Sequence, residues 1–241
     1  PDFGRYGGTM KGKDLTERIY RQIKRDLMMC KLPSSELFSE QMLADRYNCS
    51  RTPAREAAGR LVSEGFLNKY PSKGYIVRLP TEREMSEMRY CLYSLETAAL
   101  RLTIHTAYLE EFHSLMQLLE RDIDDPEIAY FSNMTFHYEL AKLSRNDTLV
   151  NLIERLYSLM IRGESSPTYR GVPYLGESFP DKRENFMPLH GDPNETERHK
   201  AIVQALIENR SEDAMRLLIS DIYPTVDRDK VNLGAAVPDP I

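Results

Sequence analysis

The segment from residue 49 to residue 58 constrains the fold most strongly, because it reads as the start of a helix with two different faces. Ser50 suits the N-cap position, and Pro53 falls in the first turn, where its missing N–H costs little. Arg51 and Arg55 are one turn apart and project together. The other face carries small apolar residues at helical spacing: Ala54, Ala57, Ala58, Leu61 and Val62. The pattern predicts either an ordinary amphipathic helix with a basic face or a helix that reads DNA.

The preceding segments favour the second interpretation. Residues 39–47 read as a short capped helix, and Asn48 and Cys49 follow as a turn before the next helix begins. This spacing is typical of a helix-turn-helix. Apolar residues recur at helical spacing between Leu15 and Leu32, so a third helix is predicted to cover the pair.

A β-hairpin is predicted after these helices. Residues 65–70 and 75–79 are both β-prone, and the polar run 71–74, which contains a lysine and a glycine, joins them. Three helices followed by a hairpin with a basic tip form a winged helix-turn-helix. In that arrangement the recognition helix enters the major groove and the hairpin tip reaches an adjacent groove.

From Thr81 onward the pattern becomes helical, and no β-prone alternation interrupts it. The predicted helices run from Met85 to Leu102, over 108–123, through 131–143 and over 148–161, and two more follow His199. The predicted fold is therefore mainly α, with an N-terminal winged helix-turn-helix and an all-α helical bundle. The predicted parts are a flexible N-terminus (1–12), a DNA-binding domain (13–80), an effector-binding and dimerisation domain (81–232) and a C-terminal tail (233–241).

Charge is divided in the same way along the chain. Residues 1–80 hold 15 Lys+Arg against 9 Asp+Glu, a net charge of +6, and residues 81–241 hold 17 against 28, a net charge of −11. A basic head gains salt-dependent affinity for phosphates. No apolar run approaches the ~18 residues of a membrane span, and no secretory signal is apparent, so the cytoplasm is expected. The three cysteines are expected to be reduced.

The first 80 residues resemble the GntR family of transcription regulators. The matching residues are Leu37, Ser39, Glu40, Leu43, Ala44, residues 50–57, Leu61, Glu64, Gly65, Lys73 and Gly74. The resemblance implies that Arg51, Thr52 and Arg55 contact bases and phosphates and that the hairpin tip approaches the minor groove. One departure is Gln41, where some relatives carry arginine. The DNA-binding residues implied in this way are Gln41, Ser50, Arg51, Thr52, Arg55, Lys73 and Gly74.

The rest of the chain resembles the FadR-type (FCD) ligand-binding domain of these regulators. The resemblance is carried by residues 95–99, 136–146 and 197–202. Many such domains hold a divalent metal through an aspartate and three histidines, often beside an effector that bears a carboxylate. A metal site and a small-molecule effector are therefore implied here.

The implied metal ligands are Asn133, His137, His199 and Asp221. Asn133 and His137 are one helical turn apart and share a face. The family's aspartate is replaced by Asn133, and its last histidine by Asp221. Imidazole with carboxylate suits Zn, Ni, Mn or Fe. The alternative is that His137 and His199 bind an organic effector directly.

The effector itself is less well defined by the sequence. Relatives often place an arginine where this chain has Leu92, with Tyr93 beside it; Arg89, Arg101 or Arg162 could substitute. The implied effector-binding residues are Arg89, Tyr93, His137 and His199, and an organic or sugar acid is the expected ligand. The stretch between Gly163 and His199 is long for a connection and is expected to be a lid, an interaction segment or disordered.

These observations predict a regulator, acting as a repressor in the manner of the family, that binds a pseudo-palindromic operator as a homodimer. Enzymatic activity is not expected. The alternative is a metal-dependent hydrolase or oxygenase that uses His137, His199 and Asp221. A winged helix used only for protein contacts is disfavoured by the positions of Arg51, Arg55 and Lys73.

Overall fold

The computed structural model describes residues 12–121, 131–165 and 195–222. The chain divides into two compact units. The first contains residues up to Thr81 together with the end of a later helix, from Ser158. The second contains Glu82–Tyr157 and the described residues from Glu195. The units divide between Thr81 and Glu82, and the first unit also includes residue 158 onward, which the sequence did not predict. Residues 1–11 of the expected N-terminus, the stretch 166–194 and the expected tail lie outside the described ranges.

The predicted three helices form in the first unit. They are α1 (Gly12–Met28), α2 (Glu40–Arg46) and α3 (Arg51–Ser63). The Ser39 hydroxyl accepts a hydrogen bond from the Met42 N–H at 3.1 Å, so Ser39 caps α2. Helix α1 ends four residues before the predicted end at Leu32, and Cys30 just beyond it has a left-handed φ of 54°.

Helices α1 and α3 pack directly on each other through small or aliphatic side chains. Ile19, Ile23 and Leu27 of α1 recur every four residues and are no more than 1% exposed. The facing residues of α3 are completely buried: Ala54, Ala57, Ala58 and Leu61. Alanine methyl groups allow the two helix backbones to approach closely, and this contact sets the position of α3.

The predicted hairpin is present and belongs to a small three-stranded antiparallel sheet. Its strands are β1 (Leu37–Phe38), β2 (Leu67–Tyr70) and β3 (Gly74–Val77), in the order β1-β3-β2. Leu67 pairs with Val77 and Tyr70 with Gly74, which places the turn at residues 71–73. Strand β1 was not predicted; it adds to the edge of β3 and ties the wing to the segment before α2.

The described part of the second unit is helical, as predicted. Its helices are α4 (Glu82–Thr106), α5 (Leu109–Leu119), α6 (Ser132–Lys142), α7 (Asp147–Ser165, which continues into the first unit), α8 (Glu195–Ile207) and α9 (Ser211–Ile222). Helix α7 extends four residues beyond the predicted end at Ile161. The predicted end of α5 at Ile123 lies outside the described residues.

The core of the second unit lies where α8 contacts α5, α6 and α9 and where α4 contacts α6 and α9. Its buried residues include Leu100, Phe136, Ile202, Val203 and Leu218. Within the described ranges, no helix combines the length and apolarity that a bilayer crossing requires.

Candidate DNA-binding surface and effector site

Helix α3 has an exposed polar face and a buried apolar face, and the order of polar and apolar residues in its sequence determines the two faces. Arg51, Thr52 and Arg55 are exposed, while the intervening Pro53 and Ala54 are buried. Proline is tolerated there because the first-turn N–H groups have no partner within the helix. The Arg51 guanidinium lies 3.6 Å from the Glu40 carboxylate, and its side chain is 66% exposed. The predicted cationic residues therefore stand on the outer side of the predicted recognition helix.

The side chains of Ser50 and Gln41, two of the predicted DNA-binding residues, differ in their hydrogen bonding. Ser50 occupies the N-cap position with extended backbone, but its side chain makes no capping hydrogen bond. The Ser50 hydroxyl is exposed. Gln41 is exposed on α2, and its side-chain N–H donates to Asp45 one turn later at 2.7 Å. Gln41 is thus at the surface, with its amide oriented by a residue of its own helix.

The two residues predicted at the wing tip, Lys73 and Gly74, differ in exposure and in backbone conformation. Lys73 is exposed in the turn between β2 and β3. Gly74 has a φ of +123°, and a Cβ atom there would lie 2.3 Å from the backbone oxygen of Phe38. Because β1 passes so close, the structure requires glycine at this position for the backbone alone. Of the two predicted wing residues, Lys73 is the one with an exposed side chain.

Three predicted ligand residues come together inside the second unit: His137 from α6, His199 from α8 and Asp221 from α9. We call them the His–Asp cluster. Both Nε2 atoms lie 3.2 Å from the same Asp221 carboxylate oxygen, Oδ2. All three side chains are 2–3% exposed, and one ligand atom from each lies within 4.8 Å of the other two. The other Asp221 oxygen accepts a hydrogen bond from Arg198 Nε at 2.8 Å.

A second layer of side chains fixes the two imidazole rings. His137 Nδ1 lies 2.6 Å from the buried Glu96 carboxylate of α4. The other Glu96 oxygen accepts a hydrogen bond from the Tyr157 hydroxyl at 2.6 Å, and the Tyr157 ring stacks on His137. The His199 ring stacks on Phe136 with centroids 3.9 Å apart. A carboxylate on Nδ1 directs Nε2 of His137 toward Asp221.

Asn133 lies one turn before His137 but is engaged differently from the other predicted ligands. Its side-chain N–H donates to the buried carboxylate of Glu195 at the start of α8. Its carbonyl oxygen is buried and has no hydrogen-bond partner among the described residues. An orphaned buried oxygen is costly unless a water or ion satisfies it.

The pKa shifts show strong electrostatic coupling within the cluster. Burial alone would lower the pKa of His137, but the Glu96 and Asp221 carboxylates raise it to about 10. Burial lowers the pKa of His199, and the neighbouring His137 lowers it further. Burial would raise the pKa of Asp221, yet hydrogen bonds from both imidazoles hold it well below its usual range. Burial raises the pKa of Glu195 to about 7.

This donor set fits a divalent transition metal. Two imidazole nitrogens and a carboxylate oxygen converge, and the orphaned amide oxygen of Asn133 is a further oxygen donor on α6. Many metal-binding histidines donate their other ring N–H to a carboxylate, and Glu96 lies in that position at His137 Nδ1. Without a metal, the Arg198 guanidinium and a protonated His137, whose pKa is raised to about 10, offset the charges of Glu96 and Asp221.

The predicted effector residues lie in different places. Arg89 and Tyr93 are on α4, seven and three residues before Glu96, and both are partly buried; Tyr93 packs against the apolar core. Arg162, considered as a substitute for the family's carboxylate-binding arginine, belongs to the first unit and hydrogen-bonds backbone carbonyls there. That interpretation of Arg162 is wrong, because α7 continues past the expected end and carries Arg162 into the DNA-binding unit.

Three residues of the site were not predicted: Glu96, Tyr157 and Glu195. Glu96 lies in the segment 95–99 that resembles the FCD domain, but no role was predicted for it. A charged residue between apolar neighbours on α4 could have indicated it, because an isolated buried carboxylate needs a partner. Nothing in the local pattern of Glu195 or Tyr157 distinguishes them from surface residues of a helix.

A winged helix-turn-helix with exposed arginines, joined to a helical unit that encloses histidines and carboxylates, defines the class of DNA-binding regulators with a separate ligand-binding domain. The model of the bacterial regulatory proteins of the gntR family matches residues 15–77, and the FCD domain model matches residues 84–222. The chain therefore belongs to the GntR family of transcription regulators, in the group that carries an FCD domain.

Known relatives agree with this assignment. The Nta operon transcriptional regulator of Aminobacter aminovorans is 30% identical over 125 residues, which cover 50% of this chain and 60% of that protein. The regulator McbR of Escherichia coli is 28% identical over 158 residues, 64% of this chain and 72% of the relative. The solved structure of E. coli McbR has the same fold, with a TM-score of 0.69 at 23% identity over 87% of this chain and 94% of that one. These proteins are regulators, so the hydrolase or oxygenase alternative is not supported.

Proposed function

We propose that this chain represses transcription by binding a pseudo-palindromic operator as a homodimer, and that a metal-assisted effector bound at the His–Asp cluster changes its operator affinity. The observation that carries the proposal is the convergence of two buried imidazoles on one buried carboxylate in a protein that also presents exposed arginines on a recognition helix. The cytoplasm is the compartment in which such a regulator would act.

The DNA-binding part is supported by the two faces of α3. Its apolar face is buried in packing with α1, α2 and β2, so the exposed face is available to a ligand. Arginine forms bidentate contacts with guanine or with phosphate. One helix of this length reads few base pairs, and two copies on a palindrome would supply the specificity that a genome demands.

The metal part is supported by the cluster's donor set and by its charge. When bound, a divalent metal such as Zn, Ni, Mn or Fe would offset the buried carboxylates and offer Lewis-acidic positions to oxygen ligands. His137 Nε2, His199 Nε2 and Asp221 Oδ2 would hold it, and Glu96 would orient the His137 ring. Asn133 would contribute its orphaned oxygen.

The charge of the site also bears on the effector. Arg198 and a protonated His137, whose pKa is raised to about 10, offset the buried charges of Glu96 and Asp221, and a divalent metal would add the positive charge that attracts an organic or sugar acid. We therefore propose that such an acid binds more tightly to the metal-loaded protein. Arg89 and Tyr93 on α4 remain candidates for contacts with the rest of the effector.

The test begins with protein stripped by a chelator and an operator selected from a random-sequence DNA pool. Zn²⁺ and Ni²⁺ affinities are measured by calorimetry, and operator affinity by fluorescence anisotropy with and without metal. His137→Ala and His199→Ala should each weaken metal binding by at least ~10-fold and remove any metal effect on operator affinity. Metal-free operator affinity should stay near the wild-type value.

His113→Ala is the matched control, because His113 is an exposed histidine on α5 of the same unit. It should bind metal and DNA as the wild type does. Wild-type protein that takes up no metal would contradict the metal proposal, and equal metal affinity in the wild type and His199→Ala would remove the cluster from it. Failure to select any DNA sequence would contradict the operator proposal.

A further inference from the structure

The side-chain amide of Asn133 has two ends of similar size and opposite character. Its oxygen can bind a cation, whereas its NH₂ group only donates hydrogen bonds. A carboxylate at this position would offer an oxygen in either orientation, but a carboxamide offers one in only one of its two orientations. For Asn133 to contribute its oxygen to a metal, a neighbouring group must fix how the amide is turned.

Glu195 contacts the NH₂ end of this amide. The Asn133 Nδ2 atom donates a hydrogen bond to Glu195 Oε1. Because an ionised carboxylate accepts hydrogen bonds and donates none, the NH₂ end is the end held at Glu195. The other end, Oδ1, is buried and has no hydrogen-bond partner among the described residues. The pairing therefore leaves unpaired the one atom of the Asn133 side chain that can bind a cation.

Asn133 and Glu195 lie one helical turn from the two histidines of the His–Asp cluster. Asn133 precedes His137 by one turn on α6, and Glu195 precedes His199 by one turn on α8. The ring centroids of His137 and His199 are 5.2 Å apart. The ligand atoms that converge within 4.8 Å among the described residues belong to His137, His199 and Asp221, and Glu195 is outside this group. Its position therefore favours an action through Asn133 over direct binding of the metal.

The setting of Glu195 is unfavourable for a residue that only stabilises the fold. Its side chain is buried, and the nearby Asp221 carboxylate repels its charge. An acidic residue in the first turn of a helix interacts favourably with the helix dipole, but the exposed Glu197 already provides one in α8. The burial of a second carboxylate therefore calls for a role beyond helix stability.

We propose that Glu195 is a positioning residue of the metal site, which fixes the Asn133 amide so that Oδ1 is the atom offered to the cation. The proposal rests on the proposed function in one respect, that the His–Asp cluster binds a metal. Loss of the Glu195 carboxylate lets the amide turn, and the NH₂ group then competes with Oδ1 for the position facing the metal. Metal affinity falls as a result, although every ligand residue is still present.

The test is Co²⁺ binding to the chelator-stripped full chain, followed by calorimetry and by visible absorption. A buffer at about pH 8 keeps Glu195 ionised, since burial raises its pKa to about 7. Glu195→Met should weaken Co²⁺ binding by about tenfold. In an Asn133→Leu background the same substitution should change the affinity by less than about twofold, because its partner is gone. Glu195→Met and Asn133→Leu should show the same altered Co²⁺ absorption, since both lose one oxygen ligand.

Glu197→Met is the matched control, because Glu197 is an exposed glutamate of the same helical turn and pairs with Lys200. This variant should bind Co²⁺ as the wild type does. In any variant that does not fold without metal, as judged by circular dichroism, alanine takes the place of methionine or leucine.

Two results would overturn the proposal while leaving the metal site in place. One is an equal loss of affinity from Glu195→Met with and without Asn133, because Glu195 would then act by its charge alone. The other is wild-type Co²⁺ affinity in Glu195→Met. A wild type that binds no Co²⁺ would overturn this proposal together with the metal part of the proposed function.

Discussion

At the scale of single residues, Gly74 shows how tightly one position can be specified by backbone alone. Its φ of +123° is unfavourable for residues with a Cβ atom, and β1 passes against it at Phe38. The β1–β3 pairing of Phe38 with Tyr75 depends on that close approach. The wing and the segment before α2 are therefore joined at a point that no larger residue fits.

We expect Gly74→Ala to destabilise the DNA-binding unit by about 1–3 kcal/mol, because the backbone is strained and the new Cβ clashes with backbone atoms. Thermal unfolding measures the change. Gly59→Ala is the control, since a Cβ at Gly59 meets no atom within 4 Å and the residue lies within α3. That variant should gain up to about 1 kcal/mol from helix propensity. A Gly74→Ala protein as stable as the wild type would show that the wing tolerates a Cβ there.

Residues in and around the His–Asp cluster differ in how far sequence could predict them. Asn133 and His137 share a helix face by spacing, and Asp221 was located by counting along a helix with regular periodicity. Glu96 and Glu195 were missed because their burial arises only when α4, α6 and α8 meet, and no local pattern records that meeting. The pairing of Asn133 with Glu195 likewise joins residues 62 positions apart.

At the scale of elements, α3 concentrates the contacts proposed for DNA. Arg51→Ala and Arg55→Ala should each lower affinity for the selected operator by about 1–3 kcal/mol and relax base preference where the arginine contacts a base. Anisotropy with operator and scrambled DNA measures both effects. Arg21→Ala is the control and should bind as the wild type does, because Arg21 is exposed on α1 and pairs with Glu17. Full operator affinity in both α3 variants would exclude α3 as the recognition helix.

The elements also show which features sequence can predict. Helices α2 and α3 and the hairpin depend on signals within a few residues: a capping serine, alanines at helical spacing, and a turn containing glycine. Strand β1 has only two residues and exists because β3 lies beside it. The extension of α7 beyond Ile161 is accompanied by the burial of Arg162 against the wing, a contact between residues 84 to 97 positions apart.

At the scale of the whole molecule, the uneven charge determines how binding should respond to salt. The first 80 residues carry a net charge of +6 and the remainder −11. We expect the logarithm of operator affinity to fall linearly with the logarithm of salt concentration, with a slope of about −0.9 for each phosphate contacted. Arg51→Ala should reduce that slope by about 1 per protomer if the arginine contacts a phosphate. Titrations between 50 and 200 mM salt provide the measurement.

Two outcomes would count against this account of binding. A slope near zero would mean that phosphate contacts contribute little to operator affinity, which conflicts with the net charge of +6 on residues 1–80. A slope unchanged in both Arg51→Ala and Lys73→Ala would place the phosphate contacts elsewhere. Sedimentation of the protein with operator DNA in the same buffers establishes whether two copies bind each site.

The buried, alanine-rich face of α3 affects how such a regulator can change its DNA target. The packing of α3 on α1 uses Ala54, Ala57, Ala58 and Leu61, and none of the exposed positions 51, 52 and 55 takes part in it. New side chains can therefore be tried at those three positions without disturbing the core. If the predicted contacts of Arg51, Thr52 and Arg55 set operator preference, then preference and fold stability depend on different residues of one helix, and we expect a few surface substitutions to change the DNA target while the chain remains folded.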